Sequence, residues 1–160
     1  MLSTKIHDLL VDIIREAYPE ECEKNEGLLK FYITVNAEER KAIHGRYYLR
    51  TRTIEVFNLS RPSAHIITTS IHEAAHHVDY LTRKSTGHDK KFYEVLGRLL
   101  VTAIGMGIIT KTDIINELDT ADHARLPKHL GPVSSWRTPE ISFEPLPLTL
   151  RIEAGDSEFT

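Results

Sequence analysis

The sequence predicts an α+β domain, in which an N-terminal helix, a short antiparallel sheet of about three strands and two longer helices follow one another. Apolar residues recur at helical spacing in the helical segments, whereas the sheet segments are rich in aromatic and β-branched residues. The 160 residues, 41% hydrophobic and 27% charged, have the composition of one globular domain with its own core. We expect this domain to span residues 1–126 and a proline-rich extended tail to span residues 127–160.

The N-terminal segment predicts a one-sided amphipathic helix. Ser3 or Thr4 can cap its start, and Pro19 can end it. Its apolar stripe, which we expect to face the core, consists of Leu2, Ile6, Leu9, Leu10, Ile13, Ile14 and Ala17.

Three short segments after this helix predict the strands of the sheet. They cover residues 28–35, 46–49 and 53–57 and are rich in aromatic and β-branched side chains. We expect the last two to pair as an antiparallel hairpin that turns near Thr51 and Arg52.

Two longer helices are predicted downstream of the sheet. Ser60 and Pro62 can begin the first helix, which we expect to run to about Thr82. After a glycine-containing turn, a second helix is expected over residues 88–106, and a shorter one from Thr112.

The segment from residue 127 onward predicts a different kind of structure. Five prolines interrupt any periodicity there and favour an extended backbone. Two arrangements are open for this tail: it wraps the domain, with Trp136 and Phe143 as its anchors, or it is mobile. A tail of this kind is also able to fold across a cleft of the domain and block it.

The composition argues against several classes of protein. A formal net charge of −3 gives no reason to expect a nucleic-acid or anionic-membrane partner. Cys22 is the only cysteine, so the chain forms neither an internal disulfide nor a four-cysteine zinc site. Acidic residues in the N-terminal segment disfavour a secretory signal, and no apolar stretch reaches the roughly 20 residues of a membrane-spanning helix. We therefore expect a cytoplasmic protein without a membrane partner.

The segment that indicates chemistry is His72-Glu73-Ala74-Ala75-His76, in the middle of the first long helix. Histidines four residues apart lie one helical turn from each other, with Cβ atoms roughly 5–6 Å apart, so both imidazoles can bind one zinc ion. Glu73 is turned about 100° around the helix from His72. This places its carboxylate near a water on the metal, where we expect it to act as a general base.

A catalytic zinc site usually has three protein ligands and one position for water. Two residues can supply the third ligand: His88, at the start of the next helix, and Glu94, further along it. The metzincin pattern requires a glycine at position 79 and a histidine at position 82, where this chain has Asp79 and Thr82. The metzincin class is therefore excluded. The pattern does not decide whether His88 or Glu94 is the third ligand.

The segment from His72 to Leu96, HEAAHHVDYLTRKSTGHDKKFYEVL, resembles the core of the SprT-like and related minigluzincin metallopeptidases. In that family a histidine with an aromatic residue shortly after it supplies the third ligand, and His88 and Phe92 match this pair. The strand segments at Gly45 and Thr53 are similar to the strand pair that precedes the family's active-site helix. The resemblance covers about half of the chain.

This resemblance implies a small zincin-like domain that hydrolyses peptide bonds in a peptide or protein substrate. It implies that His72, His76 and His88 hold Zn²⁺ and that Glu73 is the general base. Longer members of the family carry a cysteine-rich zinc ribbon and DNA-contacting segments. A chain with one cysteine cannot form that ribbon. Family analogy alone suggests a nucleic-acid partner, and the charge of the chain does not indicate one. The alternative is a non-proteolytic zinc-binding module of regulatory, toxin-like or DNA-associated kind.

Position predicts roles for several further residues. His77 is expected at the surface, and Asp79 either orients the second histidine ligand or is a solvated charge. Tyr80 and Tyr93 are the candidates for stabilising the oxyanion, and substrate is expected to lie extended along the strand at 53–57. No spacing recommends a role for the remaining histidines, which are His7, His44, His65, His123 and His129.

Overall fold

The α+β class is confirmed by the computed structural model, which describes residues 1–137. Within these residues the chain forms six α-helices and one three-stranded sheet. None of the helices in this range is long and apolar enough to cross a membrane. The helices are α1 (Leu2–Ala17), α2 (Pro19–Lys24), α3 (Ser63–Arg83), α4 (Lys90–Gly105), α5 (Lys111–Glu117) and α6 (Thr120–Leu130), and the strands are β1 (Tyr32–Val35), β2 (Gly45–Tyr48) and β3 (Thr53–Val56).

The sheet is mixed, and the prediction of an antiparallel sheet is wrong for its first strand. The strand order is β1-β3-β2, with β1 parallel and β2 antiparallel to β3. The hairpin turns as expected around residues 49–52, where Arg52 has a positive φ of 53°. The connection over residues 36–44 is long enough to carry the chain past one strand position, so β3 is placed between β1 and β2.

This strand order changes where a peptide can pair with the sheet. Because β3 is hydrogen-bonded on both sides, the expectation that substrate lies along residues 53–57 is wrong. In the sheet that the structure describes, β2 is an edge strand, and its first residue, Gly45, lies beside α3, where a Cβ atom on it would contact Thr69 and Glu73.

The core lies between α1, α3, α4 and the inner face of the sheet. Each fully buried Leu or Ile contributes about 1.5–3 kcal/mol relative to an exposed position. Pro62 is the N-cap of α3, whereas the hydroxyl of Ser60 donates to Glu39 and is not used in the cap. The helix ends at Lys84, in the left-handed conformation with φ 61°. The side chains that fill the centre include Ile13, Ile14, Ile54, Ile71, Ala75, Val78, Leu96, Leu99 and Leu100.

Two helix starts differ from the sequence-based expectation. Met1 is the N-cap of α1, without a side-chain cap from Ser3 or Thr4. The second long helix begins at Lys90 after Asp89, whose side chain accepts a hydrogen bond from the backbone N–H of Phe92. His88 therefore lies in the connection before α4 and not on the helix itself, which leaves its backbone free of helical constraint.

The C-terminal part of the described chain packs on the domain. Helix α6 contains Pro127, so the predicted start of the tail lies inside a helix. Val133 and Trp136 are each 8% exposed and belong to the hydrophobic core, as expected for Trp136 as an anchor. The other expected anchor, Phe143, and the rest of the tail over 138–160 lie outside the described residues.

Candidate metal centre

Three histidine side chains converge where α3 faces the connection to α4. His72 and His76 come from successive turns of α3, and His88 comes from the connection. One ring nitrogen from each lies within 4.8 Å of the others, so this histidine cluster is able to hold a metal ion. The Nε2 atoms of His72 and His88 are 3.3 Å apart. Two nitrogens bound to one tetrahedral zinc ion at about 2.0–2.1 Å lie about 3.3 Å from each other, so this pair already has the spacing of zinc ligands.

Asp122 of α6 orients His72 from behind. Its Oδ2 lies 2.5 Å from Nδ1 of His72, and its Oδ1 accepts a hydrogen bond from the hydroxyl of Tyr93 at 3.0 Å. Burial alone would raise the pKa of Asp122, but the hydrogen bonds from His72 and Tyr93 hold this pKa below its usual value. An ionised carboxylate at Nδ1 keeps the proton on that nitrogen, which leaves the Nε2 lone pair of His72 available to a metal.

His76 is held in the same way by a different partner. Its Nδ1 lies 2.7 Å from the hydroxyl oxygen of Thr86, which accepts the Nδ1–H when Nε2 is the metal-binding nitrogen. The ring stacks on Phe92, with ring centroids 4.2 Å apart. Burial lowers the pKa of His76 to about 3, assisted by His72 and His88. The ring is therefore neutral at physiological pH, as ligation requires.

Glu73 stands beside the cluster but outside it. It is 6% exposed, and its Oε2 is 4.0 Å from Nε2 of His72. Burial raises the pKa of Glu73 to about 7, against the opposing effect of His72. A Cβ atom on Gly45 would lie 2.9 Å from Cγ of Glu73, so the glycine makes room for this carboxylate under the start of β2.

The cluster and Glu73 open into a cavity of about 210 Å³, here called the cleft. One wall is formed by residues 42–45, just before and at the start of β2, and the facing wall by the segment around Asp119, between α5 and α6. The floor is formed by α3. The residues that line the cleft include His44, Gly45, His72, Glu73, His88 and Asp119.

Of the two candidates for the third ligand, the structure brings His88 to the other two histidines. Glu94 is exposed on α4, and among the described residues it is not part of the group able to hold a metal. The connection that presents His88 is fixed by Arg83. The guanidinium of Arg83 donates to Asp79 at 2.7 and 2.8 Å and to Asp89 at 2.7 and 3.0 Å.

The expectations about two other residues of α3, His77 and Asp79, are wrong. His77 is fully buried, with Nε2 3.0 Å from the carbonyl oxygen of Gly27 and Nδ1 2.6 Å from the hydroxyl of Tyr47. It is buried because β2 and residues 26–29 cover that side of α3. Asp79 is 1% exposed and bound to Arg83, so it is neither solvated nor a partner of the histidine ligands.

The two tyrosines expected to stabilise an oxyanion lie elsewhere. Tyr93 is fully buried and donates its hydroxyl to Asp122. Tyr80 lies one helical turn beyond His76, and neither tyrosine is among the described residues that line the cleft. Sequence reasoning also missed Asp122 and Thr86, because no spacing relative to the motif marks them. The one available signal for Asp122 is its place as an acidic residue in the first turn of α6.

No protein-family model matches the chain, and no curated protein or solved structure is detectably similar to it. The resemblance to SprT-like metallopeptidases therefore rests on the residues from Gly45 to Leu100 and stays a prediction.

Proposed function

We propose that this chain is a zinc-dependent metallopeptidase. The observation that carries the proposal is the arrangement of three convergent imidazoles with a buried carboxylate beside them, all opening into one cleft. Histidine nitrogens are the usual ligands of catalytic zinc, and three protein ligands leave a coordination position for water or substrate. When bound, zinc supplies a Lewis acid that polarises a carbonyl group and lowers the pKa of a coordinated water to about 7.

Glu73 is the residue that moves the proton. Its carboxylate takes a proton from the attacking water while the water oxygen bonds to the carbonyl carbon of the substrate. It then gives that proton to the leaving nitrogen as the C–N bond breaks, so the products are a carboxylic acid and an amine. A pKa raised to about 7 by burial suits this role, because a general base works best with a pKa near the operating pH.

The edge of β2 that has no strand neighbour among residues 1–137 offers a binding place for an extended peptide. Gly45 at the start of this strand lines the cleft, so a peptide paired with β2 would run past Glu73. Pairing of this kind uses backbone hydrogen bonds, which give affinity for any sequence and little selectivity between side chains. We therefore propose an unstructured peptide segment as the substrate.

The decisive experiment compares Glu73→Gln with Glu94→Gln in zinc-loaded protein, using a mixture of fluorogenic peptides and metal analysis. Loss of general base catalysis costs about 10²–10⁴ in rate, so Glu73→Gln should lower kcat by this factor and keep its zinc. Glu94→Gln, which removes an exposed carboxylate from α4, should behave like the wild type. His88→Ala should lose zinc.

Three results would count against the proposal in different ways. If Glu73→Gln cleaves as fast as the wild type, the assignment of the base is wrong. If the wild type holds zinc but cleaves no peptide, the chain is a non-proteolytic zinc-binding module. If the wild type holds no zinc at all, the metal centre itself is refuted.

A further inference from the structure

His44 forms part of the cleft wall, and the mechanism above gives it no role. It lies directly before Gly45, its side chain is 16% exposed, and it lines the cleft with Glu73 and the histidine cluster. Its Nε2 atom is 3.9 Å from Oδ1 of Asp119 on the facing wall. This nitrogen therefore faces the carboxylate of Asp119 within the cleft.

The hydrogen bonds of Asn58 determine which nitrogen of His44 carries the proton. The Oδ1 atom of Asn58 accepts from the backbone N–H of Arg40 at 2.6 Å. Its Nδ2 carries two hydrogens: one donates to the carbonyl oxygen of Arg40 at 2.9 Å, and the longer contact to the carbonyl oxygen of Ile43 at 3.2 Å shares the other with His44. These backbone partners fix the orientation of the amide, because an N–H can only donate and a carbonyl can only accept.

The same Nδ2 lies 2.6 Å from Nδ1 of His44. Since an amide NH₂ group is a donor without acceptor capacity, Nδ1 of His44 must be the acceptor. The proton of the neutral imidazole is then on Nε2. His44 consequently presents an N–H donor to the cleft.

The ring is also fixed in position before any substrate arrives. The carbonyl oxygen of His44 accepts a hydrogen bond from the backbone N–H of Phe57 at 2.8 Å. Its ring packs edge-on against His65, with ring centroids 4.6 Å apart, and His65 is in turn 3.2 Å from the carbonyl oxygen of Glu117. Asn58 is fully buried with a positive φ of 57°, a left-handed conformation that asparagine adopts more readily than most residues.

We propose that His44 is a further catalytic residue, whose Nε2–H donates a hydrogen bond to the carbonyl oxygen of the scissile peptide bond. This inference rests on the proposed function. As the water oxygen bonds to the carbonyl carbon, the π electron pair of the carbonyl moves onto its oxygen, and the Nε2–H of His44 stabilises that negative charge. When the C–N bond breaks, its electron pair leaves with the nitrogen and the pair on the oxygen re-forms the π bond of the carbonyl. His44 transfers no proton. A donor held in place for charge that develops in the transition state is worth about 10²–10³ in kcat.

The first test needs no turnover. In full-length, zinc-loaded protein with ¹⁵N-labelled histidine, the ring nitrogens of His44 should give the spectrum of the Nε2–H tautomer, assigned by its loss in His44→Gln. A spectrum of the Nδ1–H tautomer overturns the proposal, because no donor would then face the cleft.

The second test compares His44→Ala, His44→Gln and the control His7→Ala, which changes a histidine on α1. His44→Ala should lower kcat by about 10²–10³ with an unchanged KM and full zinc content. His44→Gln, whose amide N–H reaches the position of Nε2–H, should recover part of this loss. His7→Ala should match the wild type.

A third readout uses the affinity for a phosphinic peptide. Its tetrahedral phosphinate group has negatively charged oxygens and so resembles the transition state of peptide hydrolysis. This affinity should fall in His44→Ala by a factor similar to the loss in kcat. Wild-type kcat and wild-type phosphinate affinity in a folded His44→Ala protein would overturn the role of His44 and leave the peptidase proposal intact. If the wild type holds no zinc and binds no phosphinate, the proposed function fails first.

Discussion

Replacing Asp122 should weaken zinc binding, although Asp122 does not belong to the histidine cluster. Its side chain is 2% exposed. One carboxylate oxygen lies 2.5 Å from Nδ1 of His72, and the other accepts a hydrogen bond from the hydroxyl of Tyr93. Asp122→Asn keeps the shape and one acceptor oxygen but removes the negative charge that holds the proton on Nδ1. Asp122→Ala removes the acceptor and leaves two buried donors unpaired.

The structure indicates which of the two substitutions, Asp122→Asn or Asp122→Ala, weakens zinc affinity more. Loss of a hydrogen-bond partner behind a metal-binding histidine costs about 10–100-fold in metal affinity, which is about 1.4–2.8 kcal/mol at 1.4 kcal/mol per decade. Asp122→Asn should lie near the tenfold end, because the amide oxygen can still accept from Nδ1–H of His72. Asp122→Ala should lie near the hundredfold end.

Competition with a chromophoric zinc chelator at one fixed pH near neutrality measures these affinities. Asp119→Asn is the matched control, since it removes the same charge from the N-terminal end of α6 but from a side chain that is 41% exposed and directed toward His44. It should change zinc affinity much less than Asp122→Asn. Equal weakening by both substitutions, or wild-type affinity in a folded Asp122→Ala protein, would refute the reasoning.

Three further predictions concern the surroundings of the site. Gly45→Ala should lower kcat by up to about 10²-fold with zinc content unchanged in metal analysis, because the new Cβ, 2.9 Å from Cγ of Glu73, displaces the proposed general base. Burial lowers the pKa of His77 to about 4. As the pH falls, His77 is therefore protonated near pH 6.5 in the unfolded chain but only near pH 4 in the folded chain. The stability contribution of His77 is therefore present above pH 6.5 and lost as the pH falls towards 4, by up to about 3 kcal/mol, and His77→Gln should remove this part of the loss in urea titrations. Thr86→Val deprives Nδ1 of His76 of its acceptor and should weaken zinc binding about tenfold in chelator competition.

The local part of the site was predictable because helix geometry fixes it. A spacing of four residues places His72 and His76 on adjacent turns of α3 whatever surrounds the helix, and Glu73 follows from the same rule. His88 needed the turn between two helices, which a glycine and the family resemblance indicated. Asp122 could not be predicted, because its distance from His72 depends on how α6 packs across α4.

The errors in the fold have the same origin. A strand pattern indicates which face is buried but not which strand is the neighbour, so the parallel pairing of β1 with β3 carried no signal in the sequence. His77 is adjacent to a site histidine and polar, yet the segment 26–29 and β2 cover it in the folded chain. Proline was expected to end regular structure at residue 127, but α6 continues through it to Leu130 because its hydrophobic residues pack on α4.

The guanidinium of Arg83, which binds both Asp79 and Asp89, affects how a metal would bind to the histidine cluster. These ionic contacts order the connection between α3 and α4 without a metal ion. The conformational entropy that is lost when His88 is held near α3 is therefore lost during folding and not when the metal binds. Such preorganisation favours tight binding. After a chelator has removed the zinc, the connection between α3 and α4 should therefore keep its conformation. The protein should regain full zinc occupancy without a slow refolding phase.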